Sequence, residues 1–350
     1  MNQSLRSALF CLGAAASVGV ASAIIEFAVR RPRTPRINGH RSVASLEKVR
    51  IGGVEQWVLI RGHDRTKPVL LFLHGGPGMP AMFLAHAFQR GLERDFVVVH
   101  WDRRGAGKSF EAALQGPDLS VSQTLEDTYE LTRHLRARFS QPQIYLVGHS
   151  WGSYLGLLAV SGHPEYYRAF VGTGQLAGSH EEVRALRHEF ISRAARVSGD
   201  PQLRARLAAG TLEVTEDDLF RFGGELHAAR SFWPILLTGL RAPEYTLRDI
   251  LNVKQGADLV GREMKVDVAP KPLEGEVSRL KVPVFFFLGR HDYNTPSRLA
   301  AAYLERLDAP LKELVWFEQS AHFPFFEEPG RFHSEMVRAH RAVSEERAGA

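Results

Sequence analysis

Gln143-Ile144-Tyr145-Leu146-Val147-Gly148-His149-Ser150-Trp151-Gly152-Ser153 is the stretch from which the rest of the chain is read. It opens as a short apolar run of the kind a buried strand prefers. It closes in Gly-x-Ser-x-Gly, and a helix-like run from Tyr154 to Ser161 follows at once. Strand, sharp turn and helix form the context in which a serine is held on a strained turn with its hydroxyl pushed outward. Gly148 and Gly152 stand two residues either side of Ser150, where a Cβ would meet the neighbouring element. The N-terminus of the following helix favours negative charge developing beside it. By chance the bare pattern is expected roughly 0.1 times in such a chain, so its companions decide its weight.

Working outward, Pro68 to Leu73 is a continuous apolar run, as in a strand buried on both faces of a parallel sheet. It runs into His74-Gly75-Gly76-Pro77-Gly78, a turn that can bring backbone N–H groups close to a ligand. Two strands precede it, Ser45 to Ile51 and Glu55 to Arg61, joined at Gly52-Gly53 as a hairpin. Ala81 to Leu92 reads as a helix and Phe96 to Trp101 as a further buried strand. Asp102-Arg103-Arg104-Gly105-Ala106-Gly107-Lys108-Ser109 ends like a phosphate-binding loop, but Asp102 stands where that pattern needs glycine, so the reading is rejected. The turn is expected to brace neighbouring loops instead. Ser122 to Phe139 is an amphipathic helix, and Arg168 to Thr173 is the strand after the elbow.

From about Gln175 to Pro270 the texture is polar and helical, with no buried-strand runs. Helices are expected over Glu181 to Val197 and Glu216 to Ala229, beside an apolar segment from Phe232 to Leu240. The acids here, among them Glu181, Glu182, Glu216, Asp217, Asp218, Glu225, Glu244 and Glu263, are read as mostly solvated helix faces. The sheet resumes at Val282 to Leu288, followed by Gly289-Arg290-His291-Asp292. Helix Ser297 to Leu307, strand Lys312 to Phe317, the loop Ser320-Ala321-His322 and helix Gly330 to Glu345 complete the chain. Alternating strands and helices predict an α/β fold with a mostly parallel sheet. Four segments result: 1–40, an apolar segment with its linker; 41–174, the first part of the sheet domain; 175–274, a helical cap; and 275–350, the second part.

The composition bounds the function. The 350 residues carry 44% hydrophobic and 24% charged side chains and a formal net charge of +5, ordinary for a globular protein. No basic stripe with interleaved aromatics marks a nucleic-acid partner. Cys11 is the only cysteine, which excludes an intramolecular disulfide and a cysteine metal site. Ser7 to Ile25 carries no charge. As a helix it would span roughly 28 Å, which suits a membrane anchor. With Arg6 before it and Ala21-Ser22-Ala23 near its end it also fits a cleaved signal, and a soluble structural helix is the third reading. Arg30, Arg31, Arg33 and Arg36 just after it favour retention on the cytoplasmic side. The expectation is membrane association through this single segment, with export or a cytoplasmic location as alternatives.

Ser150, Asp292 and His322 all fall just beyond buried strands, on the edge where open α/β sheets bind ligands. A serine hydroxyl becomes a competent nucleophile when a neutral imidazole takes its proton. His322 would do that, and Asp292 would orient the ring. The N–H groups of Trp151 and of the glycine-rich turn, that of Gly76, would hold the oxyanion. His149 adjoins the serine, but a sharp elbow turns its side chain away, so it is not assigned as the base. His74 is expected to pin its own turn.

Together, His74 to Gly78, Trp101 to Ser109 and Gly148 to Gly152 resemble the proline iminopeptidase branch of the α/β-hydrolase fold family, over roughly Val43 to Val343. The order serine, aspartate, histidine is that family's order. The resemblance implies a serine hydrolase needing no metal or cofactor, acting on a small-molecule or short peptide substrate through an acyl-enzyme. It implies Ser150, Asp292 and His322 as the triad and Gly76 and Trp151 at the oxyanion hole. There are two departures. Arg103 replaces the glutamine of the usual Asp-Gln-Arg-Gly, a change of local bracing. Pro234, in Ser231-Phe232-Trp233-Pro234, stands where the family commonly has a glutamate that holds the substrate's free amine. An aminopeptidase is the leading expectation, an esterase, lactonase or amide hydrolase the alternative, and a non-catalytic binding protein the third. Epoxide and haloalkane hydrolases are set aside because they carry aspartate at the position of Ser150. One buried, unpaired carboxylate facing Ser150 would favour an amine-bearing substrate; an all-apolar wall would favour an ester.

Overall fold

The computed structural model describes residues 32–111, 113–114, 116–210, 213–264 and 273–349. The apolar segment from Ser7 to Ile25 lies outside them. Among the described residues no helix is long and apolar enough to cross a membrane.

Eight strands form one sheet: β1 (Val43–Ile51), β2 (Val54–Gly62), β3 (Val69–Leu73), β4 (Val97–Asp102), β5 (Ile144–His149), β6 (Tyr167–Thr173), β7 (Val284–Gly289) and β8 (Lys312–Phe317). Their order is β1-β2-β4-β3-β5-β6-β7-β8. The first two pairings are antiparallel, and every pairing from β4 to β8 is parallel. The continuous apolar runs are explained by what lies on each face. Along β7, Val284, Phe286 and Leu288 join one core while Phe285 and Phe287 join the other. Val69, Leu71 and Leu73 of β3 split from Leu70 and Phe72 in the same way. The period of two sends successive side chains to opposite faces. Both faces are covered, so no polar alternation survives. Each fully buried Phe of β7 is worth about 1.5–3 kcal/mol relative to exposure.

Helices α2 (Val121–Arg138), α3 (Trp151–Gly162) and α10 (Ser297–Arg306) pack on one face. The other face carries α1 (Ala85–Phe88) and α12 (Pro329–Gly349), whose Phe332, Met336 and Ala339 point into the core. The helix expected over Ala81 to Leu92 is instead three short pieces, Met82–Leu84, α1 and Leu92–Arg94.

Between β6 and β7 lie α4 (His180–Ser198), α5 (Pro201–Ala208), α6 (Glu216–Phe222), α7 (Trp233–Arg241), α8 (Leu247–Glu263) and the short α9 (Leu273–Glu276). Ser179, Thr215 and Thr246 each start a helix with a reciprocal capping box. The helix expected to continue to Ala229 stops at Phe222, because Gly223 takes a left-handed φ of 82°. Residues 223–232 are therefore free to turn inward. The inserted helices are tied to the sheet at the Asp102–Ser109 turn. Lys108 Nζ lies 2.8 Å from Asp249 in a largely buried pair, and Tyr245 donates its hydroxyl to Asp102. The residue that tempted a nucleotide-binding reading is thus spent on joining α8 to the core.

Candidate active site

The carboxyl ends of β3, β5, β6, β7 and β8 lie side by side, with Leu73 opposite Gly148, His149 opposite Thr173 and Gly289 opposite Phe317. The loops carrying the candidate residues leave the sheet at this one rim. Ser150 sits at φ 54°, ψ −127°, a left-handed conformation rare for a residue with a Cβ. Three contacts hold it there. Its N–H donates to Thr173 O at 3.0 Å, and its carbonyl accepts from Ser153 N and from Ser153 Oγ. Ser153 Oγ in turn accepts from Leu176 N. A Cβ at Gly148 would lie 2.6 Å from Ser153 Cα, so glycine lets strand and helix meet.

Asp292 follows β7 and accepts four hydrogen bonds, each 2.9 Å long, from Asn294 N, Thr295 N, Thr295 Oγ1 and His322 Nδ1. Its carboxylate is thereby held in place beside the imidazole. The ring of His322 fits because residue 174 is glycine; a Cβ there would lie 2.8 Å from both Cε1 and Nδ1. The His322 backbone is held from two sides. His149 Nε2 lies 3.0 Å from its carbonyl oxygen, and its N–H donates to Glu225 O at 3.0 Å. His149 is buried, and that burial with the neighbouring His322 holds its pKa well below the ordinary value. Neutral, it can donate Nε2–H to the carbonyl. Burial pulls the pKa of His322 down, but the Asp292 and Glu225 carboxylates outweigh it and leave the ring above its ordinary value. Among the described residues no hydrogen bond joins Ser150 Oγ to His322 Nε2; both residues line one cavity of about 440 Å³.

Gly76 and Trp151 line that cavity too. Among the described residues neither N–H has an acceptor. Arg103 braces the turn that carries Gly76. Its Nη2 donates to His74 O at 2.8 Å and Pro77 O at 2.7 Å, and its guanidinium lies 4.9 Å from the Trp151 ring centroid. His74 Nδ1 lies 2.9 Å from Gly75 O, so it does pin its own turn.

The rest of the cavity is mostly apolar, with Phe83, Leu219, Phe220, Ile235, Phe323 and Phe325 in its wall. Glu225 interrupts that wall. It was read as solvated, and it is buried, as are Asp218 and Glu244. Asp218 is paired with Arg206 at 2.9 Å. Glu225 is different: Oε1 accepts from Asn294 Nδ2 at 3.1 Å, while Oε2 is buried with no partner. Burial, with Asp292 and Glu216 adding to it against His322 and the Asn294 hydrogen bond, raises its pKa to about 7. Arg187, also in the wall, points its guanidinium at the carbonyl of Tyr293 and the side chain of Asn294. Sequence reasoning missed Glu225 because it places the residue on a helix. The available signal was the pair Gly223-Gly224 just before it.

Comparison with known proteins fits this geometry. The family model described as alpha/beta hydrolase fold matches residues 68–329. The chain belongs to the α/β-hydrolase fold family. This hydrolase is 32% identical over 307 residues to a probable aminopeptidase, YbaC, of Bacillus subtilis (strain 168), covering 85% of this chain and 96% of that one. A probable proline iminopeptidase of Streptomyces coelicolor is 37% identical over 131 residues, covering 36% of this chain and 38% of that one. The solved proline iminopeptidase of Mycobacterium smegmatis superposes with a TM-score of 0.62 at 17% identity, covering 87% of this chain and 100% of that one. At that identity the likeness is one of fold. The chain is a hydrolase enzyme with proline iminopeptidase-like relatives.

Proposed function

We propose that this hydrolase is a serine aminopeptidase that cleaves through an acyl-enzyme, with Ser150 as nucleophile, His322 as base and Asp292 as the group that orients it. The observation that carries the aminopeptidase reading is the unpartnered Glu225 Oε2, buried in the same cavity as Ser150. A buried carboxylate oxygen without a donor is costly. A substrate's α-ammonium would supply the missing donor and the missing charge. The apolar wall would take the side chain of the first residue. Ser150 Oγ would pass its proton to His322 Nε2 and attack the scissile carbonyl. The oxyanion would form against the N–H groups of Gly76 and Trp151. His322 would return the proton to the departing amine, and water would then release the acid from Ser150. Contacts between a nucleophile and its base commonly tighten in the substrate complex.

The test compares free N-terminal aminoacyl amides, prolyl among them, with N-acetylated amides and short acyl esters. The proposal expects free amines to be preferred and acetylation to abolish turnover. Preference for esters alone would remove the aminopeptidase claim and leave the esterase reading, which the apolar wall favours.

Two further outcomes are expected. Replacing Arg103 with glutamine should lower kcat roughly tenfold with KM little changed. The turn loses its two-carbonyl brace, an effect smaller than the roughly 10²–10³ for outright loss of an oxyanion donor. Steady-state kinetics check it; an unchanged kcat would show that Arg103 does not position Gly76. The second outcome concerns pH. His322 must be neutral to act as base, and its pKa is raised, so activity should fall as pH drops through a value above that of an ordinary histidine. Glu225, with a pKa of about 7, must be ionised to hold an ammonium, so amine substrates should lose kcat/KM more steeply over the same acid limb than esters do. Superimposable acid limbs for the two substrate classes would remove Glu225 from amine binding.

A further inference from the structure

Among the described residues the helix α7 buries one side and leaves the other bare. Ile235 and Gly239 face inward, and Gly239 is packed so closely that a Cβ would meet Phe83. On the outer side Trp233 is 64% exposed and Leu237 45%, with Leu236 and Leu240 half-buried beside them. Leu251, on the neighbouring α8, is 59% exposed. Residues 230–243 contain Arg230 and Arg241, both exposed, and no acid. A short apolar stripe bearing Trp and Leu, bordered by arginines, is the composition of a helix that lies in a membrane interface.

The path of the chain points to the same occupant. Arg33 N donates to Pro243 O at 3.0 Å, two residues beyond the end of α7. Arg33 and Arg36, both exposed, thus enter beside this helix. Thirty-one residues precede Pro32, and those from Ser7 to Ile25 carry no charge. The six residues 26–31 reach at most about 20 Å, and α7 is about 13 Å long. Whatever surface receives the uncharged stretch therefore lies within reach of Trp233. Among the described residues the exposed large apolar side chains here are Phe232, Trp233, Leu237 and Leu251, far fewer than the roughly 20–30 residues a side of a stable interface. This sets a second copy of the chain behind a lipid surface as the occupant.

We propose that the outer face of α7, Trp233 and Leu237 with Arg33, Arg230 and Arg241 around them, docks on the surface of an anionic phospholipid bilayer. Phe232 lines the cavity and is itself 37% exposed next to that face, so docking would set the cavity wall beside the lipid. The inference is independent of the chemistry assigned to Ser150.

The full chain should be mixed with vesicles of phosphatidylcholine and phosphatidylglycerol carrying brominated acyl chains. The expected result is quenching of a share of the tryptophan emission that disappears in Trp233→Phe. Leu237→Asp should weaken vesicle binding roughly tenfold, and omission of phosphatidylglycerol should weaken it further. Turnover of a water-soluble substrate by each variant reports that the fold is intact. Equal quenching of wild type and Trp233→Phe overturns the proposal, as does vesicle binding by Leu237→Asp at wild-type strength, which would assign binding to residues 1–31 alone. Concentration-dependent self-association lost in Leu237→Asp, with no lipid quenching of Trp233, overturns it in favour of a second copy.

Discussion

Ser150→Ala should lose about 10⁶ in kcat, and its covalent labelling by a serine-reactive phosphonate should vanish. The size follows from the division of labour at the site. In the proposed mechanism His322 and Asp292 would act on the substrate through the Ser150 hydroxyl. Once it is gone they have nothing to activate, and only the Gly76 and Trp151 N–H groups and the binding cavity still act. Such remnants typically retain about 10³–10⁴ over water. The contacts that hold the left-handed backbone at 150 are made by its own N–H and carbonyl, so they remain in alanine, and the variant should fold. Mass spectrometry of the labelled protein and single-turnover kinetics check it. A variant that still takes label would move the nucleophile away from Ser150, and wild type that takes none would return the chain to a binding role.

Glu225→Gln should lower kcat/KM for free aminoacyl amides by about 10²–10³ and leave short esters within a few-fold of wild type. Truncating one member of a buried charge pair costs about 2–5 kcal/mol, which is the basis of the figure. Glutamine can keep the hydrogen bond from Asn294 through its carbonyl, so the loss reports charge rather than shape. A second readout separates this from a structural effect. The Glu225 carboxylate is one of the groups that raise His322, so the acid limb of ester hydrolysis should move to lower pH in the variant. Equal loss for amides and esters would make Glu225 a framework residue. No loss for either would place the ammonium elsewhere in the cavity.

The sheet and the positions of the three triad candidates were legible because they depend on short-range patterns. Buried parallel strands announce themselves as runs such as Val284 to Gly289, and the elbow is a five-residue signature. Ser150, Asp292 and His322 then follow from where strands end. The cap is legible as helical from its texture, with helix starts close to Ser179 and Thr215, whereas the helix that starts at Thr246 was not singled out. Glu225 was not legible as a cavity residue. Its burial comes from Asn294 and His322, 69 and 97 positions away, and the one local feature that separates it from the exposed Glu216 and Asp217 is the Gly223-Gly224 pair that ends the helix before it. The family's position for an amine-holding glutamate, Pro234, is no guide either, because Pro234 begins a helix whose outer face turns from the cavity. The bracing role of Arg103 was legible in kind. Its partners, His74 O and Pro77 O, were not, because they lie across the turn rather than along the chain.

His322 takes its backbone anchor from the carbonyl of the residue whose side chain reaches into the cavity, Glu225. Under the proposed mechanism, a mutation that reshapes the 223–232 turn to admit a new substrate would therefore also disturb the ring that activates the serine. Shifts of preference among descendants of this enzyme, natural or selected in the laboratory, should accumulate first at wall positions such as Leu219 and Ile235, where a change of volume leaves the chemistry alone.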